Sequence, residues 1–174
     1  MEIKSLHHVA YRCRDAKQTA DFYTKVLDLE YAMAVAEDRV PSTGEEHPYM
    51  HIFFRIDDGS YVAFFELPEE KEMGRDDNTP LWVQHLALRV KDEETLMRYK
   101  QRIESHGVEV LGPVDHTICK SIYFFDPNGH RLELAVDTTT PKMARDLAEV
   151  SEAMLKEWTK TKKAPHHADW VHKK

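Results

Sequence analysis

The sequence predicts an α+β fold built from two repeated β-α-β-β-β modules followed by a C-terminal helix. Three observations lead there. The phrase His8-Val9-Ala10-Tyr11-Arg12-Cys13-Arg14-Asp15 recurs 77 residues later as His85-Leu86-Ala87-Leu88-Arg89-Val90-Lys91-Asp92. Each copy alternates along a strand and runs into helical spacing, over residues 16–27 and 93–106. Each module also ends in an apolar strand with a glutamate beside a leucine, Phe64-Phe65-Glu66-Leu67 and Arg131-Leu132-Glu133-Leu134. A repeat of this length marks a duplicated supersecondary unit.

In module one, a strand over residues 5–14 places Leu6, His8 and Ala10 on one face and His7, Val9 and Tyr11 on the other. Asp15 is suited to cap the helix that follows, where Ala16, Ala20, Tyr23 and Leu27 share a stripe. Residues 30–35 read as a strand and residues 36–48, with Pro41 and Gly44, as a loop. Two apolar runs, 49–56 and 60–67, flank the hairpin turn Asp57-Asp58-Gly59. The polar stretch 68–80 reads as a linker. Module two follows with a strand over 82–90, a helix over 93–106 ended by Gly107, and strands near 108–111, 119–125 and 131–136. The turn Asp126-Pro127-Asn128-Gly129 joins the last two strands. From 141 to about 162 the pattern is again helical, with Leu147, Val150, Met154, Leu155 and Trp158 as an apolar stripe. The expected divisions are therefore 1–67, 68–80, 81–137 and 138–174.

A chain of 174 residues is long enough to bury a core without disulfides. Its net charge of −7 argues against nucleic acid as a partner, because phosphate recognition needs a basic face. No apolar run reaches membrane-span length and the first residues lack the apolar stretch of a secretory signal. Cys13 and Cys119 form no C-x-x-C pair and read as reduced thiols. A cytoplasmic location is expected.

The chemistry is expected at the repeated histidines and the strand glutamates. A lone strand glutamate is ordinarily solvated. Glu66, however, is set among Val62, Ala63, Phe64, Phe65 and Leu67, and a buried carboxylate needs a partner or a metal. Two histidines with one or two carboxylates suit an open divalent-metal site, and two histidines plus one carboxylate is the pattern of non-haem iron oxygenases. His47 and His51 are expected at the surface, and the histidine-rich tail at 163–174 to do no chemistry. Phe53, Phe64, Tyr123 and Met50 are the expected pocket walls.

The repeated modules, together with Leu6-His7-His8-Val9-Ala10, the helix end Phe22-Tyr23 to Leu27-Asp28-Leu29, and Asp126-Pro127-Asn128-Gly129 to Glu133, resemble the vicinal oxygen chelate superfamily over about residues 4–137. That superfamily includes glyoxalase I, epimerases, fosfomycin- and bleomycin-resistance proteins and extradiol dioxygenases. The resemblance implies paired modules curled into an incomplete barrel around one metal, with ligands at His8, His85 and Glu133. The segment from Val114 through His116, Tyr123 and Asp126-Pro127 to Glu133 resembles the extradiol dioxygenases, where the matching histidine and tyrosine bond the catecholate. Glu66 resembles instead the glutamate that serves glyoxalase I and the epimerases as ligand and base. The function expected is therefore an extradiol-type dioxygenase, with catalytic His116 and Tyr123, acting on a catechol-like substrate. The alternatives are a glyoxalase I-type lyase, isomerase or epimerase using Glu66 and, further off, a non-catalytic resistance protein. Fe(II) is the expected metal, with Ni(II), Co(II), Mn(II) and Zn(II) as alternatives. The expected partners are a small-molecule substrate and a second copy in a homodimer.

Overall fold

The computed structural model describes residues 2–74 and 76–172, the side chain of His172 excepted. Module one supplies β1 (His8–Cys13), α1 (Ala16–Asp21), β2 (Glu30–Arg39), β3 (Glu46–Arg55) and β4 (Tyr61–Glu66). Module two supplies β5 (Leu86–Arg89), α2 (Glu93–Ser105), β6 (Leu111–Asp115), β7 (Cys119–Phe125) and β8 (Arg131–Asp137), and α3 (Pro141–Thr161) follows. Each module forms its own four-stranded sheet, in the orders β1-β4-β3-β2 and β5-β8-β7-β6. In both, the first strand pairs in parallel with the last and the other pairings are antiparallel. The predicted class, the duplication and the C-terminal helix are all present.

Several boundaries differ from the sequence pattern. The expected loop over 36–48 is mostly ladder: β2 runs on to Arg39 and β3 starts at Glu46, so the hairpin closes around residues 40–45. Cross-strand hydrogen bonding here overrides a polar composition that reads as coil. Strand β6 begins at Leu111, three residues beyond the expected position. Gly112 sits within it at φ +109, where a Cβ would lie 2.7 Å from the Ser121 carbonyl oxygen, so glycine is required for the close approach to β7.

Helix α1 is capped as expected, with Asp15 accepting from the Gln18 amide at 2.6 Å. It then widens into a π-helical turn over Phe22–Val26. The wider turn buries Phe22, Tyr23 and Val26 together. Tyr23 stacks on Phe54 and lies 4.8 Å from Phe64, ring centre to ring centre.

One core serves both modules. It contains Cys13, Phe22, Tyr23, Ile52, Phe54, Val62 and Phe64 from the first, and Leu96, Ile103, Ile122, Phe124, Leu132 and Leu134 from the second. A buried polar clamp fastens the halves. Tyr23 donates to Asp126 Oδ2 at 3.2 Å, and Asn128 Nδ2 donates to Thr19 Oγ1 at 3.1 Å and to Asp126 Oδ2 at 3.0 Å. The Arg14 amide donates to Asn128 Oδ1, and His130 Nε2 donates to the Arg12 carbonyl at 2.7 Å. Both sheets turn their helix-side faces into this core, so their other faces lie outside it.

Two measurements check this packing. Replacing Asn128 with Ala removes the donor to Thr19 Oγ1 and leaves the Arg14 amide without its acceptor, and should lower stability by about 1–3 kcal/mol, read from chemical denaturation. Burial raises the Cys13 thiol to about 11. A thiol reagent at pH 8 should therefore modify Cys119 in the folded protein and reach Cys13 after denaturation alone.

Candidate metal centre

The free face of the second sheet carries a continuous polar chain of four side chains. His85, just before β5, bonds the Val83 carbonyl through Nδ1 at 3.2 Å and faces Glu133 Oε2 through Nε2 at 2.9 Å. Glu133, on β8, is buried, and its Oε1 accepts the Tyr123 hydroxyl at 3.2 Å. That hydroxyl in turn accepts from His116 Nε2 at 2.8 Å. Burial, then the charge of Glu133, raises the Tyr123 phenol, which stays protonated as the donor in this chain. The Arg131 guanidinium lies over the Tyr123 ring, 4.4 Å from its centre.

The geometry around His85 fits a cation. With Nδ1–H engaged by the Val83 carbonyl, a neutral imidazole presents the Nε2 lone pair toward a carboxylate oxygen. Two lone pairs at this separation are compatible only with a shared positive charge, from a proton or a metal ion. Carbonyl-anchored histidine beside a buried carboxylate is the arrangement that orients first ligands in metal sites.

His8 begins β1 on the free face of the first sheet. Its neighbours are His7, with Nδ1 atoms 2.7 Å apart, and the rings of Phe53 and His51 at 5.8 and 6.1 Å. Among the described residues no three His, Cys, Asp or Glu side chains are grouped to hold one ion. The single chain thus brings His85, Glu133, Tyr123 and His116 together, and leaves His8 on the other sheet. The sequence leaves open whether the three ligands meet within one chain; here His8 and the His85–Glu133 pair stand at different sheets.

Glu66 stands elsewhere again. In β1 and β4, Ala10 is opposite Ala63, whereas in β5 and β8, Ala87 is opposite Glu133. Ala10 and Ala87 each lie two residues after the repeated histidine, so Ala63 is the counterpart of Glu133. Glu66 lies three residues farther on, and an odd step turns a strand side chain to the other face. Its Oε2 accepts the Ala16 amide at 2.6 Å, at the start of α1. It is a helix-terminus carboxylate on the opposite face of the sheet from His8. The same parity moves two expected pocket walls: Phe64 packs in the core and Met50 lies on the helix side with Glu66, while Phe53 stays on the His8 face.

His51, expected at the surface, is instead half-buried. It shares the His8 face, stacks on Phe65 at 3.6 Å, and its Nε2 is buried with no hydrogen-bond partner. Alternation of Tyr49, His51 and Phe53 along β3 was the available signal.

Comparison with known proteins fits this architecture. The profile of the Glyoxalase/Bleomycin resistance protein/Dioxygenase superfamily matches residues 5–134. The chain belongs to this superfamily. It is 29% identical over 141 residues, 79% of its length, to the putative ring-cleaving dioxygenase MhqA of Bacillus subtilis, and spans 42% of that protein. It is 28% identical over 145 residues to the metallothiol transferase FosB of Staphylococcus epidermidis, covering 82% of this chain and 89% of that one. The fold matches the fosfomycin resistance protein FosX of Listeria monocytogenes, crystallised as a glutamate-to-glutamine mutant with Mn(II) and 1S,2S-dihydroxypropylphosphonic acid. The TM-score is 0.56 at 22% identity, over 82% of this chain and 98% of that one.

His51 also gives a pH dependence. Burial, then the neighbouring His8, lowers its imidazole from 6.5 to about 4. Between those values the unfolded chain takes up a proton that the folded chain refuses. This contribution to stability is therefore intact above about pH 6.5 and declines as the pH falls towards 4. Thermal melts of His51→Phe should show a flatter acid limb than the parent; parallel limbs would refute the assignment.

Proposed function

We propose that the protein is a metal-dependent ring-cleaving dioxygenase of the extradiol type, acting on a catechol-like small molecule at a centre completed by two copies. The observation that carries the reading is the His116–Tyr123–Glu133–His85 chain, which sets two ligands beside two proton-bearing groups on one sheet face. In this reading His8 of a second copy supplies the third ligand. Sheet one's free face is open, with Met33 and Val35 exposed beside the strand that bears His51, and so offers an apolar surface for such pairing.

His85 Nε2 and Glu133 Oε2 would hold the ion, and Fe(II) there supplies adjacent binding positions for a diol and for oxygen. The protein's own part is positional. Glu133 Oε1 keeps the Tyr123 hydroxyl oriented, and the exposed His116, whose Nε2–H donates to that hydroxyl, would turn the same donor to a substrate oxygen when one binds. Donors fixed beforehand where oxyanion charge develops need no reorganisation during reaction. Proton transfer by Glu66 is not part of the proposal, because that carboxylate is bound to the start of α1.

A second reading is chemistry on fosfomycin. It is favoured by one fact: the resistance relatives are matched over nearly their whole length, whereas MhqA is matched over less than half.

Anaerobic loading with Fe(II), followed by air and a panel of catechols, should give oxygen uptake and a ring-fission chromophore. Tyr123→Phe and His116→Gln should retain iron but lose about 10²–10³-fold in kcat. Iron-loaded protein that consumes no oxygen with any catechol, but consumes fosfomycin with Mn(II) and a thiol or water, would move the assignment to the second reading. The shared centre has its own test. His8→Ala and Glu133→Gln should each lose Mn(II), while co-refolding the two variants should restore about one quarter of the sites, since each mixed pair regains one intact set. No recovery would place the centre within one chain.

A further inference from the structure

Helix α3 and the segment after it lie beyond residues 5–134, the part matched to the superfamily, yet they reach the candidate centre. The start of α3 is tied to the His116 loop: Thr138 Oγ1 donates to the Thr117 carbonyl at 2.8 Å and Thr139 Oγ1 to the Ile118 carbonyl at 2.9 Å. At its far end the chain folds back, with His167 bonded to Glu157 at 2.9 Å and Val171 buried. Between helix and sheet lies a cavity of about 420 Å³. Its floor includes His116, Tyr123 and Glu133, and its roof includes Leu147, Met154 and Val171.

The stripe on α3 is therefore divided. Leu147, Val150 and Met154 are half-buried towards the sheet, while Leu155 and Trp158 turn outwards and are exposed. His85, on the β5 edge, does not line this cavity. The roof covers the β6–β7 side of the centre and leaves the β5 side open.

We propose that α3 and its following segment form an apolar binding compartment of the centre, holding the hydrocarbon body of a small substrate whose paired oxygens face Glu133. This rests on the metal-centre reading. His116, Tyr123 and Glu133 share the sheet-side wall with Ile118 and Cys119, the helix-side wall is apolar, and the volume falls at the small end of ligand pockets, about 300–1,000 Å³. A substrate here is amphiphilic: a vicinal-oxygen head and an alkyl or aryl substituent. Such selectivity belongs to the C-terminal segment and not to the repeated modules.

Alkyl hydroxamates test this without assuming any reaction, since the head group chelates a metal through two adjacent oxygens. Calorimetry on the Mn(II)-loaded protein would compare acetohydroxamate, butanohydroxamate, hexanohydroxamate and octanohydroxamate. Binding should tighten about fourfold per added methylene until the cavity is full. Met154→Trp should flatten that slope while leaving the affinities for Mn(II) and acetohydroxamate unchanged. Met154→Ala, which adds space, should extend the slope to longer chains and carries the test if the tryptophan variant fails to fold. A metal-loaded protein with a flat slope, or a slope that neither variant alters, overturns the compartment alone. A parent protein that holds no Mn(II) overturns the metal centre and the compartment with it.

Discussion

The buried clamp between the turn at 126–129 and α1 is the constraint on which the remaining geometry depends. Asp126 and Asn128 come from the last hairpin of module two, and Thr19 and Tyr23 from the first helix of module one. Their polar atoms are satisfied by one another inside the core, where an unpaired donor or acceptor is costly. The clamp fixes which faces of the two sheets are shared and so which are free. Burial raises the Tyr23 phenol well above its ordinary range, which keeps the hydroxyl a donor at every physiological pH. The distribution of the candidate ligands follows: His8 on one outward face, His85 and Glu133 on the other.

Much of this was legible in the sequence because the relevant periodicities are local. The duplicated phrase located both first strands and the cap Asp15; Asp92, which closes the second copy of the phrase, caps α2 in the same way, each accepting from the amide three residues on. The pattern at 119–136 identified Tyr123 and Glu133, which prove to be opposite one another in register. Two matters were not legible. Glu66 and Glu133 look equivalent beside their leucines, but strand register, a non-local property, separates them by an odd number of residues. The sequence likewise carries no mark of which sheet faces the shared core uses, so the separation of His8 from Glu133 emerges only from tertiary packing.

Side chains around the candidate centre show how neighbouring positions in a strand serve different ends. On β7, Ile122 and Phe124 build the core, while Tyr123 between them joins the polar chain. On β8, Leu132 and Leu134 do the same around Glu133. Alternation thus seats each functional group between two core anchors, which limits its motion without added loops.

The continuity of the core has a consequence for how the repeats relate to each other. Phe124 and Leu132 from one repeat and Phe22 and Tyr23 from the other are members of the same cluster, so unfolding either repeat strips the other of a wall. Neither half is a free-standing unit that can be excised, shuffled or lost while its sibling persists. What began as two copies of one motif is, in this molecule, a single cooperative body whose halves are interdependent despite their separate sheets.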